Sequence, residues 1–342
     1  MNRCPHQATA TALNSRVNRR HWTAALTLSL LALAAPAGAQ TGSANYPTQP
    51  IRLLVGYAPG GPTDIIARLI ATRLQDALGQ SVVVENKAGA SSNIASDEVA
   101  RAKPDGHTLL LGTIANATNM TFYKKLNYDT LRSFAPITQL VASPSVLIVN
   151  AGVPAKTVNE LMALAKAKPG TLSFASSGNG GSPHLGGELL KMHAGLDMIH
   201  VPYKGTAPAL NALLSGEVSM SFVTSLSAIP QAKNPKLRVL AVAGTQRLPQ
   251  LPEVPTLIEA GVAGFEVSSW SGLMAPAGTP PAVIARLHQE TTRILALPEV
   301  RATLNAQAAL PVGSSPEQFR GYIAEEIERW GKVIKATGAT LE

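Results

Sequence analysis

The chain has 342 residues, enough for two ordinary domains, and 45% of them are hydrophobic, so it can bury a sizeable core. This composition excludes disorder as a description of the whole chain. The formal net charge is +8, but four arginines and no acidic residue lie in the first 39 residues. The rest of the chain is nearer neutrality and contains no run of Lys and Arg, which argues against nucleic-acid binding.

The first 39 residues have the pattern of a secretory signal. Arg16, Arg19 and Arg20 lie shortly before the apolar stretch 24–35, and the small-x-small site Ala37-Gly38-Ala39 follows it. The apolar stretch is shorter than the ~20 residues of a membrane-spanning helix. We therefore predict export to the periplasm, with cleavage near Ala39-Gln40. The single cysteine, Cys4, would be lost with the signal, which excludes disulfides and cysteine-ligated metals in the mature chain.

Short apolar runs alternate with helical patterns along the mature chain. A strand is predicted at Ile51–Val55, followed by a helix with apolar residues at helical spacing and a stop at Gly79. Further strands are predicted at 82–84, 109–111, 146–149, 172–175, 218–222 and 237–243. Helix starts are predicted at three capping boxes, Thr157…Glu160, Thr256…Glu259 and Ser315…Gln318, and other helices at 185–194 and from Thr279 to about Leu297. The alternation predicts an α/β fold with mainly parallel strands.

The mature chain is long enough for two domains, yet it contains no obvious linker between them. This absence suggests that the chain crosses between the domains more than once through short hinge strands. We expect residues 46–143 with 270–342 to form one lobe and residues 144–269 the other. The proposed crossings are Ser143-Pro144 and 268–271, where a few residues can absorb a hinge rotation.

A glycine-rich loop, Gly56–Asp64, joins the first strand to the first helix. Its glycines let the backbone approach a ligand, and free N–H groups at a helix N-terminus attract anions. Thr63 or Asp64 can cap the helix, so capping alone and capping combined with a ligand or water contact both stay open for Asp64. The loop lacks the phosphate-binding and dinucleotide-binding glycine patterns. We predict no cofactor.

A second polar loop, Ser176–His184, also leads from a strand into a helix. Its last five residues are a near miss to the G-x-S-x-G pattern of hydrolases, with Ser182 as nucleophile and His184 as base. No acid is placed by the sequence to orient such a base. His184, His193 and His200 lack metal-site spacing, so we predict no metal site and expect core or surface roles for His193 and His200.

Several motifs of the chain occur in an order that is typical of one family. They are Tyr46–Arg52, the turn Pro59–Asp64, Val84–Gly89, Ser176–Leu185, His200–Gly205, Leu237–Val242, Leu251–Thr256, and Trp270 with Ala275–Pro281. Together they resemble the Bug family, the extracytoplasmic solute receptors of tripartite tricarboxylate transporters. The resemblance runs from about Tyr46 to the C-terminus.

The resemblance implies a type II periplasmic-binding-protein fold, in which two α/β lobes, each a mainly parallel sheet flanked by helices, close on a small carboxylate. Family members hold the carboxylate with main-chain groups and waters from two glycine-rich loops. The implied positions are Pro59, Gly60, Gly61 and Asp64 in one lobe and Ser177, Gly178, Asn179, Gly180, Ser182 and His184 in the other, and we add Tyr57, Thr63 and Thr224 as candidate ligand contacts.

Two departures from the family pattern bear on the ligand. Gly56-Tyr57-Ala58 replaces the Pro-Phe-Pro of many relatives, which changes one pocket wall, and Val223-Thr224 replaces an Asp-Asn pair. Without that carboxylate an amino-acid ligand would lack a partner for its ammonium group. The sequence therefore favours a dicarboxylic or aromatic acid.

The leading hypothesis is a non-catalytic, monomeric periplasmic receptor that passes a small carboxylate to the membrane permease subunits of a tripartite tricarboxylate transporter. Two rivals stay open. One is a periplasmic ligand sensor for a signalling partner, and the other is a hydrolase that uses Ser182 and His184.

Overall fold

The structure is a computed structural model that describes residues 46–338, so the predicted signal at 1–39 lies outside the described residues. Ten strands make up the sheet of this part: β1 (Ile51–Val55), β2 (Val82–Asn86), β3 (Thr108–Thr113), β4 (Phe134–Asn150), β5 (Ser173–Ser176), β6 (Ile199–Pro202), β7 (Met220–Thr224), β8 (Leu237–Ala243), β9 (Ser268–Pro276) and β10 (Leu310–Pro311). The α/β class predicted from the sequence is confirmed.

Ten α-helices flank the sheet in the described part: α1 (Pro62–Leu78), α2 (Asn93–Ala100), α3 (Ile114–Phe122), α4 (Val158–Ala167), α5 (Ser182–Ala194), α6 (Thr206–Ser215), α7 (Ser225–Gln231), α8 (Pro281–Ala296), α9 (Pro298–Asn305) and α10 (Pro316–Thr337). None of these helices is both long enough and apolar enough to span a bilayer.

The sheet has two parallel outer groups and an antiparallel centre. Its strand order is β2-β1-β3-β9-β4-β7-β5-β6, with β8 and β10 also paired to β4. β1 runs parallel to β2 and β3, and β5 runs parallel to β6 and β7. In contrast, β9 is antiparallel to β3 and β4, and β4 is antiparallel to β7 and β8. The parallel pairing that the sequence predicts is therefore found in the two outer groups of strands.

Strand β4, with 17 residues, joins the two outer groups. Up to Pro144 it pairs with β9, where Pro144 faces Ser268, and from Ser145 onwards it pairs with β7 and β8. The partners change beside the proposed crossing at Ser143-Pro144. Closure of two lobes about this point stays a prediction.

Helix α1 illustrates how the local sequence sets an element. Ile66, Ile70 and Leu74 recur every four residues and are buried, and the helix ends where Gly79 adopts a left-handed conformation (φ 67°). Full burial of a large aliphatic side chain stabilises the fold by about 1.5–3 kcal/mol. The helix is thereby fixed on the sheet, and its N-terminus is held at the end of β1.

The capping box at Thr256 does not begin a helix, contrary to the prediction from the sequence. Thr256 and Glu259 do exchange both hydrogen bonds of a box, at 3.0 and 2.7 Å, but residues 256–261 form only a turn. The backbone N–H of Leu257 bonds to Val242 of β8, and the turn ends at Gly261 with φ 94°. Pairing to the sheet on one side and a left-handed glycine on the other leave no room for a helix. The boxes at Thr157 and Ser315 do begin helices.

Candidate ligand-binding site

The two glycine-rich loops have the same backbone conformation. In the first loop Gly60 has φ 82° and Gly61 is the N-cap of α1, while in the second Gly180 has φ 74° and Gly181 is the N-cap of α5. Only glycine adopts such positive φ values without strain. Each strand therefore turns sharply into a helix at a pair of glycines, the second of which is the N-cap.

In both loops the glycine with positive φ donates a hydrogen bond to the side chain of the residue four positions later. The N–H of Gly60 donates to Asp64 Oδ2 at 3.0 Å, and the N–H of Gly180 donates to His184 Nδ1 at 3.0 Å. The expectation that Thr63 or Asp64 caps α1 is wrong, because the N-cap is Gly61 and Asp64 lies in the first turn. Asp64 and His184 thus stabilise the loops in which they lie.

The Asp64 carboxylate is held ionised by its neighbours. Burial alone would raise the pKa of this carboxyl group, but hydrogen bonds from Arg68, from the N–H of Gly60 and from Asn86 outweigh burial and lower the pKa. Asn86 also donates to the backbone oxygen of Tyr57 at 3.0 Å. The charge of Asp64 is therefore compensated inside the first loop and its flanking elements.

His184 is neutral and packed in an aromatic stack. Its ring lies 4.0 Å from that of His200 and 5.2 Å from that of Phe122, centroid to centroid. Burial, with the nearby His200 and Lys191, lowers the pKa of His184 to about 3, and burial with Lys191 lowers the pKa of His200 to about 4. Because Nδ1 accepts from Gly180, the proton of the neutral ring is assigned to Nε2.

The serine and histidine side chains do not form the Ser182–His184 pair that the hydrolase hypothesis requires. Nδ1 of His184 is occupied by the N–H of Gly180, whereas His200 Nε2 lies 2.6 Å from Ser176 Oγ. Ser176 is fully buried and also bonds to the backbone of Gly178 at 3.1 Å. This pair joins β6 to the start of the second loop, and His200 is half-buried there. His193 is exposed, as expected for a surface residue.

A cavity of about 30 Å³, called here the ligand cavity, lies where the two loops converge. The N-terminal residues of α1, α3, α5 and α6 reach its wall. The lining, within the described residues, contains no charged side chain: Tyr57, Gly61, Pro62, Thr63, Thr113, Ile114, Ser177, Gly181, Ser182, Pro183, Thr206, Thr224 and Ser269.

Three of these helices begin at a glycine. Gly61, Gly181 and Gly205 are the N-caps of α1, α5 and α6, and none of them has a side chain to cap the helix. The first N–H groups of a helix have no acceptor within the helix, so they stay free to bond elsewhere. They also carry the positive end of the helix dipole. The ligand cavity is therefore suited to an anion without any Lys or Arg.

Each loop is also hydrogen-bonded to an element outside it. The N–H of Ala58 donates to the backbone oxygen of Lys204 at 3.0 Å, and Thr118 Oγ1 donates to the oxygen of Gly180 at 2.8 Å. A Cβ at Gly205 would lie 3.1 Å from the nitrogen of Ala58. These contacts join the first loop to the segment before α6 and the second loop to α3.

The structure groups the residues predicted from the sequence into three sets. Tyr57, Gly61, Thr63, Ser177, Ser182 and Thr224 line the ligand cavity. Tyr57, Ser177, Gly178 and Asn179 line a further cavity of about 180 Å³ beside Gly56 and Tyr203. The remaining residues, Pro59, Gly60, Asp64, Gly180 and His184, belong to the loops but line neither cavity. Direct ligand contact by any of them stays a prediction.

Seven lining residues were not predicted: Pro62, Thr113, Ile114, Gly181, Pro183, Thr206 and Ser269. Gly181 could have been predicted from the sequence, because it repeats the position of Gly61. Thr206 follows the motif that ends at Gly205, and Ser269 lies in the proposed crossing at 268–271. Thr113 gave no local signal, because only the pairing of β3 beside β1 brings it to the cavity, where its Oγ1 is 3.0 Å from the Tyr57 hydroxyl.

The fold and this backbone-lined cavity define the class of periplasmic solute-binding proteins. Residues 66–339 match the family model described as the tripartite tricarboxylate transporter family receptor, TctC, and the chain belongs to that family. The resemblance to the Bug receptors is confirmed. The solved structure of periplasmic binding protein BugD matches with a TM-score of 0.84 and 34% identity, over 87% of this chain and 100% of BugD.

Two similar structures contain carboxylates. R. palustris Rpa4515 with adipate matches with a TM-score of 0.83 and 36% identity, over 86% of this chain and 98% of that one. MatC (Rpa3494) from Rhodopseudomonas palustris with bound malate matches with a TM-score of 0.81 and 34% identity, over 84% of this chain and 100% of MatC. Both ligands are small dicarboxylates, so small carboxylates are bound within this group of folds.

Proposed function

We propose that this protein is a periplasmic receptor that captures a small dicarboxylic or aromatic acid and delivers it to the membrane permease subunits of a tripartite tricarboxylate transporter. One observation carries the proposal: the N-terminal residues of three helices, whose N-caps are the glycines Gly61, Gly181 and Gly205, line one uncharged cavity. Family membership and the relatives with bound adipate and malate support it.

The hydrogen-bond donors of such a cavity can contribute binding energy of the size that a receptor needs. A hydrogen bond to a charged group contributes about 1.5–3 kcal/mol, and micromolar affinity requires about 8 kcal/mol. Four backbone or hydroxyl donors to one carboxylate would contribute about 6–12 kcal/mol, a gross energy of the size that micromolar affinity requires before the cost of association is subtracted. Because these donors belong mostly to the backbone, the carboxylate is recognised without a basic side chain.

The location and the partner follow from the same proposal. The predicted signal would direct the chain to the periplasm with cleavage near Ala39-Gln40, and a monomer would present the ligand to the permease. A ligand sensor for a signalling partner would use the same cavity. Uptake separates these two roles: cells that lack this protein lose carboxylate uptake if it is a transport receptor and retain uptake if it is a sensor.

The hydrolase hypothesis is tested at Ser182, which lines the ligand cavity. We expect Ser182→Ala to weaken carboxylate binding by roughly threefold to a hundredfold, since one hydrogen bond contributes about 0.5–3 kcal/mol. Isothermal titration calorimetry with a panel of dicarboxylic and aromatic acids measures the affinity, and chromatography shows whether the ligand is recovered intact. Ligand breakdown by the wild type that disappears in both Ser182→Ala and His184→Ala would overturn the receptor proposal.

A further inference from the structure

A cavity of about 610 Å³, called here the far-side cavity, lies at the crossing and shares no lining residue with the ligand cavity. Ser268 and Ser269 are consecutive residues of β9, and side chains of consecutive strand residues point to opposite faces of a sheet. Ser269 lines the ligand cavity, whereas Ser268 lines the far-side cavity. The two cavities therefore lie on opposite faces of the sheet where the chain crosses.

The far-side cavity is built from both predicted lobes. Asn305, Ala308 and Leu310 belong to the lobe formed by 46–143 and 270–342, and residues 243–250 belong to the other. Gln250 Nε2 donates to the backbone oxygen of Asn305 across this boundary. A rotation of the lobes about the crossing would move these segments relative to each other, so the cavity has its present shape only in the present arrangement.

The size and the wall of the far-side cavity are those of a small-molecule site. Ligand pockets measure about 300–1,000 Å³, have mostly apolar walls and lie preferentially between domains. Leu248, Pro249 and Leu310 form part of an apolar wall here, and Leu310 is 60% exposed. A ligand with an apolar body would remove this surface from water, which favours binding.

Two polar atoms of residues in this wall have no hydrogen-bond partner within the described residues. They are Ser143 Oγ, in a side chain that is 2% exposed, and Gln250 Oε1. Buried polar groups in folded proteins are nearly always paired, so each such exception requires an explanation. The amide oxygen of Gln250 only accepts. A ligand that carries an N–H or O–H group beside its apolar body would supply the missing donor.

The charges of the far-side cavity select against an anion. Within the described residues its charged lining residues are Arg247 and Glu266. Arg247 Nε lies 3.0 Å from both carboxylate oxygens of Glu259, and Nη1 donates to the backbone oxygen of Pro252 at 3.1 Å. The positive charge is therefore already compensated, whereas Glu266 is exposed and would repel an anion. The ligand of this cavity thus differs from the carboxylate proposed for the ligand cavity.

Ser143 lies between the two cavities. A small cavity of about 20 Å³ shares Thr63, Thr224 and Ser269 with the ligand cavity and Ser143 with the far-side cavity. Packed side chains that have two discrete arrangements can transmit an energetic coupling between sites. The path between these two sites is short, because one buried serine reaches the walls of both the small cavity and the far-side cavity.

The present arrangement also brings the predicted lobes into contact beside the ligand cavity. The N–H of Ala58 donates to the oxygen of Lys204 at 3.0 Å, and Thr118 Oγ1 donates to the oxygen of Gly180 at 2.8 Å, each from one predicted lobe to the other. A molecule that fits the present shape of the far-side cavity would stabilise the same arrangement. Two ligands that favour one arrangement raise each other's affinity, because the coupling is reciprocal.

We infer that the far-side cavity is a second ligand site, which binds an uncharged molecule with an apolar body and an N–H or O–H group, and that its occupation raises the carboxylate affinity of the ligand cavity. The coupling rests on the proposed function, since it assumes that a carboxylate binds in the ligand cavity. The site itself does not depend on that function.

Tethered groups test the coupling, because a chain that starts at Gln40 contains no cysteine. Thr245→Cys places a single thiol at an exposed position in the wall of the far-side cavity. Methyl, butyl and benzyl methanethiosulfonates then attach uncharged groups of increasing size, and the 2-carboxyethyl reagent attaches an anion. Calorimetry with the acid of the panel that binds tightest to the wild type measures the carboxylate affinity of each product.

The benzyl group is expected to raise the carboxylate affinity of Thr245→Cys about fivefold or more, the butyl group by less, and the methyl and carboxyethyl groups not at all. Thr171→Cys is the matched control, an exposed threonine of the same predicted lobe outside both cavities. The same groups should change its affinity by less than about twofold. Thermal melts verify folding, and Gln246→Cys, at the next residue of the wall, repeats the test if Thr245→Cys does not fold.

Free molecules test the site without a tether. Benzyl alcohol has an O–H donor, and benzyl methyl ether is its match without one. Saturation-transfer-difference NMR is expected to show tighter binding of the alcohol than of the ether to the wild type. The alcohol signal should disappear in benzyl-modified Thr245→Cys, where the site is filled, and in Leu310→Lys, where part of the apolar wall is lost.

The possible failures are distinguishable. Carboxylate affinity that is unchanged or lowered in benzyl-modified Thr245→Cys would overturn the coupling and leave the receptor function standing. An equal gain with the carboxyethyl group would overturn the ligand class, and an alcohol signal that persists in the benzyl-modified variant would overturn the site. A wild-type protein that binds no acid of the panel would overturn the receptor function and the coupling with it.

Discussion

Gly60 and Gly61 are neighbours in the first loop, but the structure constrains them differently. Gly60 has φ 82°, which other residues adopt only with strain. Gly61 has φ −84° and ψ 170°, which any residue can adopt, and a Cβ there would lie 3.7 Å from the nearest atom, in Thr206. The sequence by itself indicates close approach of a ligand at both glycines. The structure indicates that Gly61 matters because it lacks a side chain that would cap α1.

Gly61→Ser tests this interpretation. Serine is a good N-cap, so we expect the free energy of unfolding to rise by a few tenths of a kcal/mol (about 0.3). The new hydroxyl would accept from the same N–H groups that a carboxylate needs, so we expect affinity to fall about tenfold or more. Denaturant unfolding and calorimetry measure the two effects. Gly61→Ala is the matched control, because it adds the Cβ without an acceptor; unchanged affinity in Gly61→Ser would show that the ligand binds elsewhere.

At the scale of elements, the two strand–loop–helix units repeat one design with different side chains. Asp64 in the first unit is an ionised acceptor supported by Arg68, whereas His184 in the second is a neutral acceptor supported by the ring of His200. The same backbone geometry is therefore held once by a charge and once by an uncharged aromatic stack. The two supports should respond differently to pH.

The histidine stack predicts a loss of stability in acid. The pKa of His184 is about 3 and that of His200 about 4 in the folded protein, below the ordinary value of 6.5. Between these values the unfolded chain binds more protons, so stability is full above pH 6.5 and falls as the pH decreases toward 4. Each histidine contributes at most about 1.4 kcal/mol per pH unit.

Denaturant unfolding at pH 7, 6, 5 and 4 measures this slope. His200→Gln removes one of the two titrating groups and should make the free energy of unfolding less dependent on pH in this range. His193→Gln, at an exposed position, is the control and should keep the wild-type slope. A slope that is identical in the wild type and in His200→Gln would contradict the assignment of the acid sensitivity to the stack.

At the scale of the whole molecule, contacts on the far side of the crossing join the two predicted lobes. Ser225 Oγ donates to the backbone oxygen of Ala308 at 3.0 Å, and Gln250 Nε2 donates to that of Asn305. Ser225 follows Thr224 directly, and Ala308 has a positive φ of 49°. The ligand cavity and these contacts are thus linked by one short segment of chain, residues 224–225.

Ser225→Ala is expected to favour an open arrangement. Loss of one neutral hydrogen bond costs about 0.5–1.5 kcal/mol, which would lower carboxylate affinity by roughly twofold to tenfold if only the closed state makes that bond. Small-angle X-ray scattering should show a smaller radius of gyration when the best-binding acid is added to the wild type. A radius of gyration that is unaffected by saturating ligand would contradict closure of the predicted lobes, whatever the variant does.

The sequence by itself determined what depends on neighbouring residues. The strand at Ile51–Val55, the end of α1 at Gly79, the capping box at Ser315 and the two glycine-rich loops are each encoded within about ten residues, because periodicity, caps and positive φ are local properties. The family was also recognisable from the order of such local motifs, and the family model bears it out.

Only the tertiary structure decided which side chains meet. Ser143, Thr206, Thr224 and Ser269 come from strands and helices far apart in the chain, and the sheet order together with helix packing brings them to adjoining cavities. The turn at Thr256 became a turn because β8 lies beside it, which its capping box could not reveal. Both outcomes depend on hydrogen bonds and packing between distant segments, and the free energy of those contacts is not encoded at any single position of the sequence.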